Sequence, residues 1–186
     1  MQELMISTVL GKIALRIDEQ GGDEPLIFLH GVFLDRSLWA AYDTHLTGRT
    51  HVYVDMPAHG RSEDVGRRWT LDECAVMLIQ ILDALDLARC VVVGHSWGSM
   101  TALRAASEHP DRFRALCLCN MPFKRSSGIG RLGFQMQKFV TGFQRFYAKQ
   151  AAKSLYSASF LTSHPELSVE MEERRARKAP KTDGVV

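Results

Sequence analysis

No stretch of this 186-residue chain approaches the roughly 18 consecutive apolar residues a membrane span requires. The opening residues Met1-Gln2-Glu3-Leu4 lack a basic region followed by an apolar core, so no signal peptide is expected. Cysteine is scarce: Cys74, Cys90, Cys117 and Cys119 are the four. Three fall in apolar strand-like runs and one in a helix-like run, which predicts small core residues, not a disulfide framework. The compartment implied is a reducing one, the cytoplasm. Cys117-x-Cys119 is neither a C-x-x-C redox motif nor a zinc pattern, so no metal is expected. A dinucleotide site is disfavoured, because Gly94 and Gly98 do not make G-x-G-x-x-G, and no P-loop lysine follows them. No run of Lys or Arg exceeds two, and no internal repeat is present.

What the chain does have is enough apolar material, 46% of residues, for one core. Its net charge of +2 conceals an asymmetry: residues 1–120 hold 11 basic and 16 acidic residues, and residues 121–186 hold 12 basic and 5 acidic ones. A basic tail can serve nucleic acid or an anionic membrane. A solvated helical face is the plainer reading, and neither nucleic acid nor membrane is expected as a partner.

Residues 90–100 read C-V-V-V-G-H-S-W-G-S-M. The β-branched run 90–93 predicts a strand buried on both faces, and residues 100–108 predict a helix. Between them Gly94-His95-Ser96-Trp97-Gly98 fits G-x-S-x-G, a nucleophile elbow. A strand reversing sharply into a helix puts Ser96 in a strained conformation. Side chains two positions to either side would clash, which is why glycine is needed there. The helix N-terminus then aims free N–H groups at the place where an oxyanion would form. The plainer alternative is an ordinary strand–turn–helix connection with a solvent-facing serine.

The remaining elements follow in order. Residues 4–18 alternate loosely around Gly11 and predict a hairpin or two short strands. Strands are expected at 26–29, 51–55 and 114–119, with a helix-like stretch at 38–46. Thr70-Leu71-Asp72-Glu73 is a capping box opening an amphipathic helix over 71–85. Pro110 stops the helix that follows the elbow. Strands alternating with helices predict an α/β fold, a mostly parallel sheet with helices on both faces. His30-Gly31, the loop 55–62, the elbow and Asn120 all lie at the carboxyl ends of strands, where such sheets place their sites. Residues 131–163 look helical and aromatic-rich. His164-Pro165-Glu166 restarts a helix, and the end of the chain reads as a polar tail.

Four segments resemble the α/β-hydrolase superfamily. They are His30-Gly31 with Trp39 downstream, Asp55-x-Pro57-x-His59-Gly60-x-Ser62, Gly94 to Gly98, and His109-Pro110-Asp111-Arg112 before a strand. Together they span residues 25–120, and within the superfamily they are most similar to cofactor-free serine hydrolases with a helical cap: enol-lactonases, carboxylesterases and carbon–carbon bond hydrolases. The resemblance implies a core in residues 1–120 and a helical cap with tail in 121–186. It implies Ser96 as nucleophile toward a small acyl or carbonyl substrate, with the backbone N–H groups of Val32 and Trp97 as the oxyanion hole. No cofactor is implied. His30 and the loop 55–62, including His59, would be structural. The Trp97 side chain reads equally as pocket lining or packing. Phe134, Phe139, Phe143, Phe146 and Tyr147 read as cap core or pocket lining.

The family's acid and histidine follow two further strands that are absent from residues 1–186, and Asn120 is no carboxylate. His95, His109 and His164 are poorly placed to replace the histidine. The expectation is therefore a truncated chain with little turnover, whose strand 114–119 is an uncovered edge open to self-association. A non-catalytic binding module is the alternative.

Overall fold

The computed structural model describes residues 1–121, other than Asp23, Phe33, Asp43 and Thr44, together with residues 157–166. Residues 1–121 belong to one compact unit and residues 157–166 to a second.

In the first unit the six strands are β1 (Gln2–Thr8), β2 (Gly11–Asp18), β3 (Leu26–Leu29), β4 (His51–Val54), β5 (Cys90–His95) and β6 (Phe113–Cys119). They form one sheet in the order β1-β2-β4-β3-β5-β6. β1 pairs antiparallel with β2, and β2 with β4; the β4–β3, β3–β5 and β5–β6 pairs are parallel. The chain leaves β3 for β4 on one side and returns past it to β5 on the other. The carboxyl ends of β3 and β5 therefore flank the point where strand order reverses, the usual position of a site in such sheets.

Alternation along the strands divides the apolar side chains between two faces. Ile27, Leu29, Val52, Val54 and Val92 pack with Leu78, Ile81 and Leu82 of α1 (Leu71–Ala84) and Ala102 and Ala105 of α2 (Trp97–Glu108). On the other face Leu26, Phe28 and Tyr53 pack with Trp39. Phe28 stacks on Tyr53 at 4.7 Å between ring centres, and the Arg16 guanidinium lies 4.2 Å above the Tyr53 ring. Trp39 is carried by a 3-10 helix, Arg36–Tyr42, where an ordinary helix over 38–46 was expected. Local bonding explains the difference. The Leu38 N–H bonds the Asp35 carbonyl three residues back, and the Asp35 carboxylate takes the Ser37 N–H at 2.8 Å. This tightens the turn at its start.

The predicted capping box is present. The Glu73 N–H donates to Thr70 Oγ1 at 3.2 Å, and the Thr70 N–H donates to Glu73 Oε2 at 2.8 Å. Arg67 pairs with Glu73 at 2.7 Å, and this contact, with the Thr70 N–H, holds the Glu73 carboxyl below its ordinary range. Thr70→Ala should cost about 1 kcal/mol in urea unfolding. A loss below a few tenths would mean the cap is dispensable.

Two expectations are corrected at the far edge. β5 is not buried on both faces, since buried and half-buried positions alternate along it. Nor are all four cysteines core residues: Cys74 and Cys90 are buried, but Cys117 is exposed and Cys119 half-buried. Both sit on β6, where only Phe113 is buried. Among the described residues, β5 is the only strand that pairs with β6.

In the second unit α3 (Ala158–Ser163) is capped by the Ser157 hydroxyl, which accepts from the Phe160 N–H at 3.2 Å. It ends at His164, whose ring stacks on Phe160. The aromatic positions 134–147 and the polar tail lie outside the described residues. Among those described, no helix is long and apolar enough to cross a membrane.

Candidate active site

Ser96 stands between β5 and α2 with φ +51° and ψ −110°. This is the strained geometry expected of a strand reversing into a helix, and it costs a non-glycine residue about 1–3 kcal/mol. Three contacts hold the turn in place. The Ser96 N–H donates to the Cys119 carbonyl at 2.9 Å. The Ser99 hydroxyl donates to the Gly94 carbonyl at 2.7 Å and lies 3.1 Å from the Cys119 carbonyl. The two glycines permit the rest. A Cβ on Gly94 would meet the Ser99 backbone N at 2.6 Å, and one on Gly98 would press into the Leu29 carbonyl of β3.

The loop after β3 comes directly against this turn. A Cβ on Gly31 would lie 3.2 Å from Ser96 Cβ and 2.7 Å from His95 Nδ1, so only glycine allows the approach. Val32, next in the chain, is half-buried against the main core. The Leu34 N–H bonds the Gly31 carbonyl at 3.3 Å and rounds off the loop as a turn. Trp97 opens α2, so its backbone N–H is one of the first-turn donors without an intrahelical acceptor. Its side chain is buried and stacked on Trp69, with ring centres 5.1 Å apart. Of the two readings left open for that ring, packing is the one observed.

His30 is a brace. Its Nε2 accepts the Met56 N–H at 2.9 Å, which leaves Nδ1 to donate to the Gly31 carbonyl at 2.7 Å. The ring is thereby neutral. Burial, helped by His59 nearby, pushes its pKa down from 6.5 to about 3. His59 is buried as well, with Nδ1 2.7 Å from the Pro57 carbonyl, a satisfied loop histidine.

Asp55 ties the loops together. Its carboxylate takes the Arg36 N–H at 3.0 Å and the Arg61 N–H at 2.9 Å. The Arg36 side chain reaches both Asp55, at 3.5 Å, and Glu3, at 2.8 Å. Burial raises the Asp55 carboxyl above its ordinary range despite these donors. Gly60, at φ +52°, lies so close over the carboxylate that any Cβ would collide with it. The Ser62 hydroxyl in turn donates to the Asp55 carbonyl and accepts the Ala14 N–H.

The structure thus brings the Gly31–Val32 segment, Ser96 and the first turn of α2 to one place. His95 Nδ1 is buried there with no hydrogen-bond partner among the described residues, and burial lowers the pKa of its ring. His109 lies at the opposite end of α2 as its C-terminal cap. Sequence reasoning missed the tethers Ser99, Arg36 and the Cys119 carbonyl. Two of these act wholly or partly through backbone atoms, which no residue pattern reports. Among the described residues, no group of three His, Cys, Asp or Glu side chains could hold a metal.

Comparison with known proteins agrees with this architecture. Residues 24–177 match the family described as alpha/beta hydrolase fold. The acetyltransferase component of the Pseudomonas putida acetoin cleaving system is 31% identical over 163 residues, 85% of this chain and 43% of that protein. A strigolactone esterase of Pisum sativum is 34% identical over 119 residues, 61% of this chain and 44% of the relative. An epoxide hydrolase of Caballeronia sordidicola is 35% identical over 116 residues, 60% and 35% of the two chains. The chain therefore spans less than half the length of these relatives. Among solved structures, a hydrolase from Pseudomonas aeruginosa superposes with a TM-score of 0.82 at 18% identity, covering 95% of this chain and 68% of that one. An esterase from Thermogutta terrifontis gives 0.77 at 24% identity, covering 94% and 66%. With its family match extending over most of its length, the chain belongs to the α/β-hydrolase fold family.

Proposed function

We propose that this chain carries the nucleophile and oxyanion side of a serine hydrolase for small esters, lactones or related carbonyl compounds. The observation that carries the reading is the strained backbone of Ser96, set on a turn against which the Gly31–Val32 loop is packed. Ser96 Oγ would attack the acyl carbonyl and form an acyl-enzyme. The N–H groups of Val32 and Trp97 would take the developing oxyanion, each such donor contributing about 100- to 1000-fold in rate. Strigolactone esterase and epoxide hydrolase among the relatives support small-molecule hydrolysis as the activity class. Acyl transfer to a serine needs no cofactor.

A serine hydroxyl is a weak nucleophile until a base takes its proton. Among the described residues no side chain bonds the Ser96 hydroxyl, and His30 and His59 are committed to backbone partners. Turnover by this 186-residue chain is accordingly expected to be slight. A fluorophosphonate probe should label it slowly, at one site, and Ser96→Ala should abolish the label. Labelling that survives Ser96→Ala would remove Ser96 as nucleophile. Fast labelling lost in that variant would mean that a base acts within the chain. The same unbonded hydroxyl favours a second reading, a module that binds acyl compounds without turning them over. Saturable binding of a short-chain ester with no product released would support it. Pairing of two copies along the β6 edge is a further expectation, read from the oligomeric state in solution.

A further inference from the structure

Cys117-x-Cys119 suggests nothing as a motif, but the strand it lies on gives it a geometry. Residues two apart on a strand share a face. In β6, Leu116 and Leu118 turn toward the main core, and Cys117 and Cys119, which alternate with them, turn to the other face. There the two sulfurs stand 3.8 Å apart, Cys117 exposed and Cys119 half-buried. Two residues of strand span about 6.6 Å, within the outer part of the roughly 4.4–6.8 Å between Cα atoms that disulfides bridge. The Cβ atoms of such a pair stand about as far apart, beyond the roughly 3.5–4.5 Å a disulfide takes, so closure would require the end of the strand to shorten. The carbonyl at that end, on Cys119, is the acceptor for the Ser96 N–H and lies within reach of the Ser99 hydroxyl.

We propose that Cys117 and Cys119 form a reversible thiol–disulfide modification site, closed by exchange with a small-molecule disulfide, and that closure loosens the turn bearing Ser96. Cys117, the more accessible sulfur, loses its proton and attacks one sulfur of the small disulfide. A mixed disulfide forms and the first small thiolate leaves. The Cys119 thiolate then attacks Cys117 Sγ and expels the second. The protein gives up two protons and two electrons, and the small disulfide is reduced to two thiols. Burial and the Cys117 thiol raise the pKa of Cys119, which places it second in the sequence. Cys74 and Cys90 serve as internal controls, since burial pushes both thiols up to about 12.

The test treats the whole chain with oxidised glutathione, alkylates the remaining thiols and maps them by mass spectrometry. The expected result is that Cys117 and Cys119 lose alkylation together, that no glutathione is retained, and that dithiothreitol restores both. Cys119→Ser should instead accumulate glutathione on Cys117. If the wild-type chain also retains glutathione on Cys117, or if both thiols stay alkylatable, the site is overturned. Amide exchange reads the coupling: the Ser96 N–H should exchange at least tenfold faster in the oxidised chain. An unchanged rate after complete closure overturns the coupling.

Discussion

Gly98→Ala should lose about 3 kcal/mol in urea unfolding, the upper end of the usual cost of overpacking. Gly98 lies within α2, where alanine is ordinarily preferred to glycine by roughly 0.5–1 kcal/mol, so local propensity predicts a gain. The contact reverses the sign. The added methyl would meet the Leu29 carbonyl and also come within 2.7 Å of Leu29 Cβ. Leu29 ends β3, which is hydrogen-bonded to β4 on one side and β5 on the other, so it has nowhere to retreat. Gly48→Ala is the control with the opposite character. Its φ is +81°, yet nothing lies within 4 Å of an added Cβ, so only the left-handed backbone penalty of about 1–2 kcal/mol applies. If the two variants cost the same, close contact at the elbow is not what requires glycine. A large loss for Gly98→Ala with a modest one for Gly48→Ala would show that it is.

Lowering the pH from 7 to 5 should remove about 2 kcal/mol of stability through His30 alone. The folded ring has its pKa depressed to about 3, against 6.5 when unfolded. A depressed pKa means that the unfolded chain binds the proton more readily. The stability His30 contributes is therefore complete above pH 6.5 and drains away as pH falls toward 3. Each pH unit in that window costs about 1.4 kcal/mol, to a total near 5 kcal/mol. The physical cause is burial, with His59 nearby adding to it, while the bond to the Gly31 carbonyl works the other way. Protonating Nε2 would destroy its capacity to accept the Met56 N–H, in a site closed to water. His95, also depressed by burial, adds to the slope, and Asp55, whose carboxyl is raised, opposes it as pH falls. Both cancel when wild type is compared with His30→Gln, whose amide oxygen can accept the Met56 N–H without titrating. The variant should show the shallower slope. Equal slopes would mean that the ring is not held neutral.

Much of this fold is legible in the residues, because short β-branched runs and punctuating glycines report local structure directly. The runs at 26–29, 51–55, 90–93 and 114–119 became β3, β4, β5 and β6 with small shifts at their ends. Thr70 and Glu73 marked the start of α1 because a capping box is a property of four consecutive residues. The 3-10 helix is not legible in the helix-like stretch 38–46, because bonding around Asp35, upstream of it, governs the turn. Burial of the Trp97 ring depends on Trp69, far off in sequence, and no local pattern contains that pairing. The same holds for Asp55: its motif is visible, but its two backbone donors come from separate loops.

The bond from the Ser96 N–H to the Cys119 carbonyl also bears on the order in which a nascent chain acquires this geometry. Synthesis delivers β3 first, then the glycines and serine of the turn, and β6 only afterwards. When the pentapeptide at 94–98 emerges, Leu29 is already available for Gly98 to rest on. The acceptor for Ser96 does not yet exist. Until residue 119 has been added and seated, the serine can relax into an ordinary turn. The strained geometry thus belongs to the assembled edge of the sheet, and five residues bearing the motif do not possess it by themselves.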